Sequence, residues 1–504
     1  MQDSGWKARL DILRDAVKRN MLDKLVGHGW DASIVREVAV GEYVVVMASR
    51  GGTERSAAVL YSSATSNNVY KQLAGEVSVI FFNGQPYMVE SFAMGVSIPV
   101  KPIDDFQSLL IEWNRESSTG KFAPTTTQAE EGTFEELQAP RRVLLSETPI
   151  EAVWARLAQL KSATLARKMV DRRAQLESLS LDISTIVSKG EGVAFALRNA
   201  TDYFSAIDRR NVSQRVLNLY YGTMSFAFAE MLASPSGPQT LAELEATTKK
   251  GHGLYTHDGL DDRFESLAIG ALVSGFFPSW VKSMSANSLV AAKRKPDGLD
   301  ALKALPVGSW LTMEQLFSRI PEVADLFEDI FEGKPSWVIP AYDQKSNGLH
   351  HRATTTYALL IDESGRMTAD DIAAFPGPIR EIVQVSSRSS ASHFRVAIDH
   401  PESNVWWDAL QLHHSPFKRH ALMLPLFGAI NEYRATSLVL LYALSILVRY
   451  RPSLWRQIQE GELDHFRSLI ETFLSAVERI LPEQFLEKIT GQSISVHQPG
   501  SFFS

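Results

Sequence analysis

Arg388 and His393 form the first pair in this chain whose types and spacing suggest chemistry. A guanidinium can hold a phosphate and an imidazole can move a proton. They bound the segment Arg388-Ser389-Ser390-Ala391-Ser392-His393, a serine-rich turn that runs into strand-like His393 to Ile398. With Arg380 nearby, the same turn also reads as an anion-binding loop. His252 is the second candidate. Gly251 and Gly253 flank it, and Lys249 and Lys250 precede it. Glycines permit close backbone approach, and a histidine there can donate to phosphate or to a carbonyl. The plainer reading is a tight turn whose histidine bonds a neighbouring carbonyl. His257 and Asp258 are near enough in sequence to complete a polar site.

A third group is binding in character: Tyr220 and Tyr221, His252, Arg449, Arg451 and Trp455. The segment Arg449-Tyr450-Arg451-Pro452-Ser453-Leu454-Trp455 mixes cations with aromatic rings, as a surface that contacts nucleic acid or a protein partner does. It also fits a helix–helix corner. Pro452 suits the first turn of a new helix, Arg449 complements the dipole at the end of the previous one, and Trp455 anchors the core. No metal site is expected. Adjacent His350-His351 and His413-His414 point to different sides of an element, and neither they nor His420 have a carboxylate at His-Glu-x-x-His spacing.

Several chemistries are excluded outright. The chain has no cysteine, so disulfides, thiolate metal sites and cysteine nucleophiles are impossible. Phosphate-binding Walker, dinucleotide-binding Gly-x-Gly-x-x-Gly and Gly-x-Ser-x-Gly motifs are missing, and no cofactor is expected. The 504 residues are 45% hydrophobic and 22% charged, with a net charge of −7. That balance rules out a globally basic surface and leaves room for a local basic groove. The most apolar stretch, Ser437 to Val448, falls well short of the roughly 20 residues a membrane span needs. The charged N-terminus does not fit a signal peptide. We expect a soluble cytoplasmic protein without membrane attachment, whose partners are nucleic acid, another protein or a second copy.

The elements that must position these residues suggest an α+β chain in five parts. Residues 1–114 read as an α/β domain in the order helix, three strands, helix, strand. The helix spans 6–27, and the strands are Ile34 to Val40, Tyr43 to Ala48 and Arg55 to Tyr61. A helix follows over Asn67 to Leu73, then a strand over Val77 to Phe82 that turns at Asn83-Gly84 into Tyr87 to Glu90. Residues 115–148 are polar and read as a linker. Residues 149–260 are helical, 261–410 mixed, and 411–504 helical again. In the last part we expect helices over His420 to Arg449 and Leu463 to Ile489. The mixed part looks like an insertion within one discontinuous helical domain.

The helical blocks resemble the YaaC-like family of bacterial proteins. The resemblance rests on Tyr203-Phe204, Leu219-Tyr220-Tyr221-Gly222, Gly251-His252-Gly253-Leu254 and the run Leu444 to Trp455. It covers roughly residues 195 to 490 and implies a helical core without implying an activity. The element order of residues 1–114 is similar to the restriction-endonuclease-like core. Such a core carries an acid and a Glu-x-Lys or Asp-x-Lys on its central strands. Here Ala57, Ala58 and Val59 occupy the second strand, and Glu42 and Glu54 supply no lysine pair, so the usual nuclease site is missing. The Arg388–His393 spacing is also that of the HEPN-type ribonucleases, whose motif opens a helix. Three readings follow. The first is a binding or accessory component of nucleic-acid handling or antiviral defence. The second is a nuclease effector acting through residues 1–114 or through Arg388 and His393. The third is a protein-interaction scaffold. Whether the chain is an enzyme stays open at this point.

Overall fold

In the computed structural model, β1 (Asp31–Val38), β2 (Tyr43–Arg50), β3 (Thr53–Tyr61), β4 (Val79–Asn83) and β5 (Val100–Pro102) form one sheet in that order. The first three strands run antiparallel, and β3, β4 and β5 run parallel. The structure describes residues 2–38, 43–61, 67–83, 93–107, 109–110, 113–114, 141–258, 261, 263–284, 289–349, 354–386, 390–401, 405–415, 420–428 and 430–497.

β2 is apolar at nearly every position because both faces of the sheet are covered. Val44 and Val46 face Leu13, Val17 and Met21 of the N-terminal helix. Tyr43 and Val45 face Tyr70 and Leu73 of the Asn67–Ala74 helix, as the two-residue period of a strand requires. The N-terminal helix runs Gln2–Val17, passes through a π-helical stretch at Lys18–Leu22, and ends at Asp23–Gly27. The expected strand Tyr87 to Glu90 lies outside the described residues. β5 was not expected. The chain divides into Met1–Glu135, which holds this sheet, and Glu136–Ser504.

The first described element of the second unit is a strand. Part of the expected linker, β6 (Arg141–Leu145), pairs in parallel with β16 (Ser493–His497) near the far end of the unit. Between them lies one large hydrophobic core that gathers residues from Val153 to Ile494. Its centre is the helix pair Ile183–Ser205 and Val212–Ala233. Asp182 caps the first by accepting from the Thr185 N–H at 2.7 Å, and Asn211 caps the second by accepting from Gln214 at 3.0 Å. The Tyr433–Tyr450 and Asp464–Thr490 helices pack on that pair. Phe226 stacks on Phe485 with ring centroids 5.2 Å apart.

Among the described residues, two sheets lie between 254 and 423, beyond both bounds of the expected mixed part. β7 (Leu254–His257), β8 (Ala268–Ala271) and β9 (Trp310–Thr312) form an antiparallel trio. The other sheet uses β10 (Trp337–Tyr342), β11 (Thr355–Asp362), β12 (Ile379–Val385), β13 (Ser392–Asp399), β14 (Leu412–His413) and β15 (Ala421–Met423), in the order β12-β13-β11-β10-β15-β14. It has a small core around Phe375, Phe394 and Trp406. Phe264, Phe317 and Trp337, however, belong to the main core, and Phe264 packs on Phe466 at 4.4 Å.

One expectation needs correcting. The helix expected over His420 to Arg449 starts only at Tyr433. Ala421 to Met423 is a buried strand instead, because a short apolar run suits either element and the β10 edge is there to pair with it. Among the described residues no single helix is long and apolar enough to cross a membrane. Tyr433–Tyr450 and Pro452–Glu460 reach that length only together, and they are bent by 104°.

Candidate functional site

The turn Gly251-His252-Gly253 is fixed by close backbone packing. Gly251 O accepts from the Phe276 N–H at 3.0 Å, and His252 O accepts from Phe277 at 2.9 Å. Gly253 has φ +75°, and a Cβ there would sit 2.3 Å from Pro278 Cδ, so only glycine fits. This turn places His252 against the Val212–Ala233 helix. The Tyr220 hydroxyl lies 2.8 Å from His252 Nδ1. The histidine therefore bonds a side chain and not the neighbouring carbonyl expected of a plain turn. Tyr220 is fully buried, whereas Tyr221 is half-buried and stacks on Tyr203 at 5.8 Å. Gly222 completes the Tyr-Tyr-Gly motif for a steric reason: a Cβ there would meet Phe204 Cδ2 at 2.7 Å.

The Tyr433–Tyr450 helix supplies the other side. Its Tyr442 ring stands 6.0 Å from Tyr220 and 5.8 Å from His252, and its hydroxyl donates to Leu254 O at 3.0 Å. Arg449 donates from Nε to Ser445 O at 3.1 Å, which closes the last helical turn as expected of a C-terminal cation. Its guanidinium also lies 3.5 Å from the Tyr221 hydroxyl and 5.1 Å from the Tyr450 ring centroid. Burial, and then Arg449, hold the His252 imidazole below its ordinary pKa. Burial, and then Tyr442 and Tyr221, raise the Tyr220 phenol well above the usual tyrosine range. Burial pushes the Tyr442 phenol up to about 12. At neutral pH the cluster is therefore a neutral imidazole and neutral phenols beside one fixed cation.

Tyr220, Tyr221, His252 and Arg449 thus come together from three distant segments. Arg451 joins them at the edge through an ion pair with Asp258, which follows β7. Next to this cluster is a cleft of about 680 Å³ whose walls include Tyr255, Tyr442, Tyr450, Lys295, Asp297 and Arg451. Tyr450 is 65% exposed. Trp455 does not line the cleft. It is 6% exposed, its Nε1 donates to Ser213 Oγ at 2.8 Å, and it belongs to the core. Pro452 opens the Pro452–Glu460 helix as expected.

YaaC-like proteins match this chain over residues 158–489. The chain belongs to the YaaC-like family. The matched stretch begins well before the resemblance seen at residue 195, since it takes in all of the Ala163–Leu176 helix. All the motif residues of the Tyr220–His252–Arg449 cluster lie within it. No curated protein and no solved structure matches the chain.

His393 does not line the cleft beside Tyr442 and Tyr450. His393 is on β13, in a separate cleft of about 380 Å³ whose walls include Lys345, Ser346, Glu381 and Arg395. Arg388 lies outside the described residues, as do His350 and His351. Arg380 pairs with Asp399 at 2.5 Å. His413 is buried, with Nε2 2.8 Å from Glu322 Oε1, while the Nδ1 atoms of His414 and His420 are 2.6 Å apart. Ala57, Ala58 and Val59 of β3 are fully buried, Glu54 is exposed beside the β2–β3 turn, and Glu42 lies outside the described residues.

Sequence reasoning missed Tyr442, which sits within an apolar helical run with nothing to distinguish it. It also missed the buried pair Arg434–Glu230. The Arg434 guanidinium bonds Glu230, donates to Glu432 Oε2 at 3.1 Å, and lies 5.1 Å from the Phe485 ring centroid. Glu230 also accepts from Trp280 Nε1 at 3.0 Å.

Proposed function

We propose that this YaaC-like chain is a binding protein whose cleft beside Tyr442 and Tyr450 takes a single-stranded segment of nucleic acid. The supporting observation is the exposed Tyr450 ring beside the guanidinium of Arg449. Lys295 lies along the same cleft, with Arg451, paired to Asp258, at its edge. Exposed aromatic faces stack on bases and cations neutralise phosphates, a combination suited to sequence-tolerant binding. With an overall net charge of −7, such contact needs a local site of this kind. On this reading Tyr220 and His252 hold the Tyr442 wall in place and do not act on a substrate. Placement within nucleic-acid handling or antiviral defence is the corresponding biological setting.

Fluorescence polarisation with short single-stranded RNA and DNA tests the proposal. Tyr450→Ala and Lys295→Glu should each weaken binding about tenfold, in line with roughly 1–3 kcal/mol per stacked base. Affinity unchanged in both variants would defeat the reading. Cleavage of the probe, abolished by His393→Ala, would favour the nuclease alternative instead.

A further inference from the structure

The helical hairpin that opens the family's matched region carries a second set of cations, distant in sequence from the cleft above and serving no role in it. The Pro149–Leu160 and Ala163–Leu176 helices meet the start of β6 and the end of the Asp464–Thr490 helix around a pocket of about 250 Å³. Arg142, Arg156, Lys168 and Arg172 line it, with Leu160, Leu165 and Met169 forming an apolar wall. No acidic side chain lines it among the described residues. Arg156 bonds only the neutral Gln159, and its Nε is buried without a hydrogen-bond partner. Burial, and then Arg142 and Arg172, lower the pKa of Arg156, so its nearest charges repel it.

A structural explanation is available and fails. The Asp464–Thr490 helix ends at this pocket, and cations stabilise helix C-termini. That role, however, is filled by Arg173, which donates to Lys488 O at 2.8 Å and to Ile489 O at 3.1 Å. The four cations in the pocket make no bond to those carbonyls. Like charges gathered at a partly buried site without counter-charges cost stability, and a bound anion removes that cost.

We infer that this pocket binds a phosphomonoester, with the phosphoryl group among Arg142, Arg156, Lys168 and Arg172 and the organic part against Leu160, Leu165 and Met169. A monoester carries about −1.5 to −2 charge at neutral pH, which answers several cations better than the single charge of a diester. Arginine guanidinium groups suit phosphate oxygens geometrically. The pocket's small volume suits one terminal phosphoryl group and not a length of polymer backbone. Two sources share this chemistry: a free mononucleotide and the 5′-phosphorylated end of a nucleic acid.

Isothermal titration of the full chain with AMP, with a 5′-phosphorylated single-stranded oligonucleotide and with its 5′-hydroxyl counterpart tests the inference. Lys168 and Arg172 are exposed, so Lys168→Glu/Arg172→Glu should not lower the melting temperature and should weaken the phosphorylated ligand about tenfold or more. AMP binding that the double variant loses identifies the free nucleotide. A 5′-phosphate-dependent oligonucleotide signal without AMP binding identifies the nucleic-acid end. Equal binding of the hydroxyl and phosphorylated oligonucleotides, no binding of any of the three, or affinity unchanged in the folded double variant would overturn the inference. Tyr450→Ala leaves this pocket intact, so loss at one site is separable from loss at the other.

Discussion

The Tyr220 hydroxyl and His252 Nδ1 share one hydrogen bond, 2.8 Å long, between residues 32 apart in sequence. The bond ties the middle of a core helix to a glycine-flanked turn. Its histidine is partly buried and kept neutral, which makes the contact sensitive to acid.

His252 has a folded pKa below its unfolded value. Unfolded chain then binds more protons than folded chain just below the ordinary histidine pKa of about 6.5. Stability contributed by the neutral form is present above that value and is lost as pH falls toward the folded pKa. His414 has the same sign, so the comparison must be between variants. The drop in melting temperature between about pH 7.5 and about pH 5.5 should be smaller in His252→Asn than in the parent chain. An equal drop in both would show that His252 does not titrate in this way.

Tyr220→Phe removes the hydroxyl and leaves the ring. We expect a loss of about 1–3 kcal/mol, because a partly buried imidazole nitrogen loses its partner. Tyr221→Ala should cost less than the roughly 3–5 kcal/mol of a fully buried aromatic, since Tyr221 is only half-buried. Urea unfolding of the two variants checks both values.

Arg434→Leu should destabilise the fold by about 3–5 kcal/mol, because it strands Glu230 in the core. The double variant Glu230→Leu/Arg434→Leu should recover part of that loss. Trp280 Nε1 and Glu432, which would lose partners, set the shortfall. A double-mutant cycle measures the coupling. Strictly additive losses would mean that the pair is not an interacting unit.

Gly253→Ala combines a left-handed backbone with a clash against Pro278, whereas Gly251→Ala has φ +97° and open space around its Cβ. Gly251→Ala should cost about 1–2 kcal/mol, the ordinary penalty for that conformation. Gly253→Ala should cost distinctly more and should also weaken the Tyr220–His252 contact, readable from the His252 imidazole signals in NMR.

The long helices were legible because their apolar positions recur at helical spacing, and buried helices need long apolar faces. Helix Asp464–Thr490 falls within a residue of the expected Leu463 to Ile489, and Ile183–Ser205 and Val212–Ala233 lie in the stretch read only as helical. The short strands were harder to read. β7 and β9 span four and three residues, too few for alternation to show. The Ala421–Met423 strand looked like the start of a helix because only its pairing with β10 decides between the two. In the site, Gly251-His252-Gly253 and Tyr220-Tyr221-Gly222 stood out because glycine beside a polar or aromatic residue is conspicuous. Tyr442 did not, for it is one apolar-looking position in a wholly apolar run. Arg142 and Arg172 were visible as scattered charges, and only folding shows that they share a pocket with Arg156 and Lys168.

β6 and β16 lie side by side in parallel register, Arg141 opposite Ser493 and Leu145 opposite His497. During synthesis the first strand leaves the ribosome long before its mate exists. β6 must therefore wait for its partner until the stretch through His497 has emerged. Completion of this two-stranded sheet waits for residues 493–497, and a ribosome stalled before them would leave the Arg141–Leu145 edge open to pair with another chain.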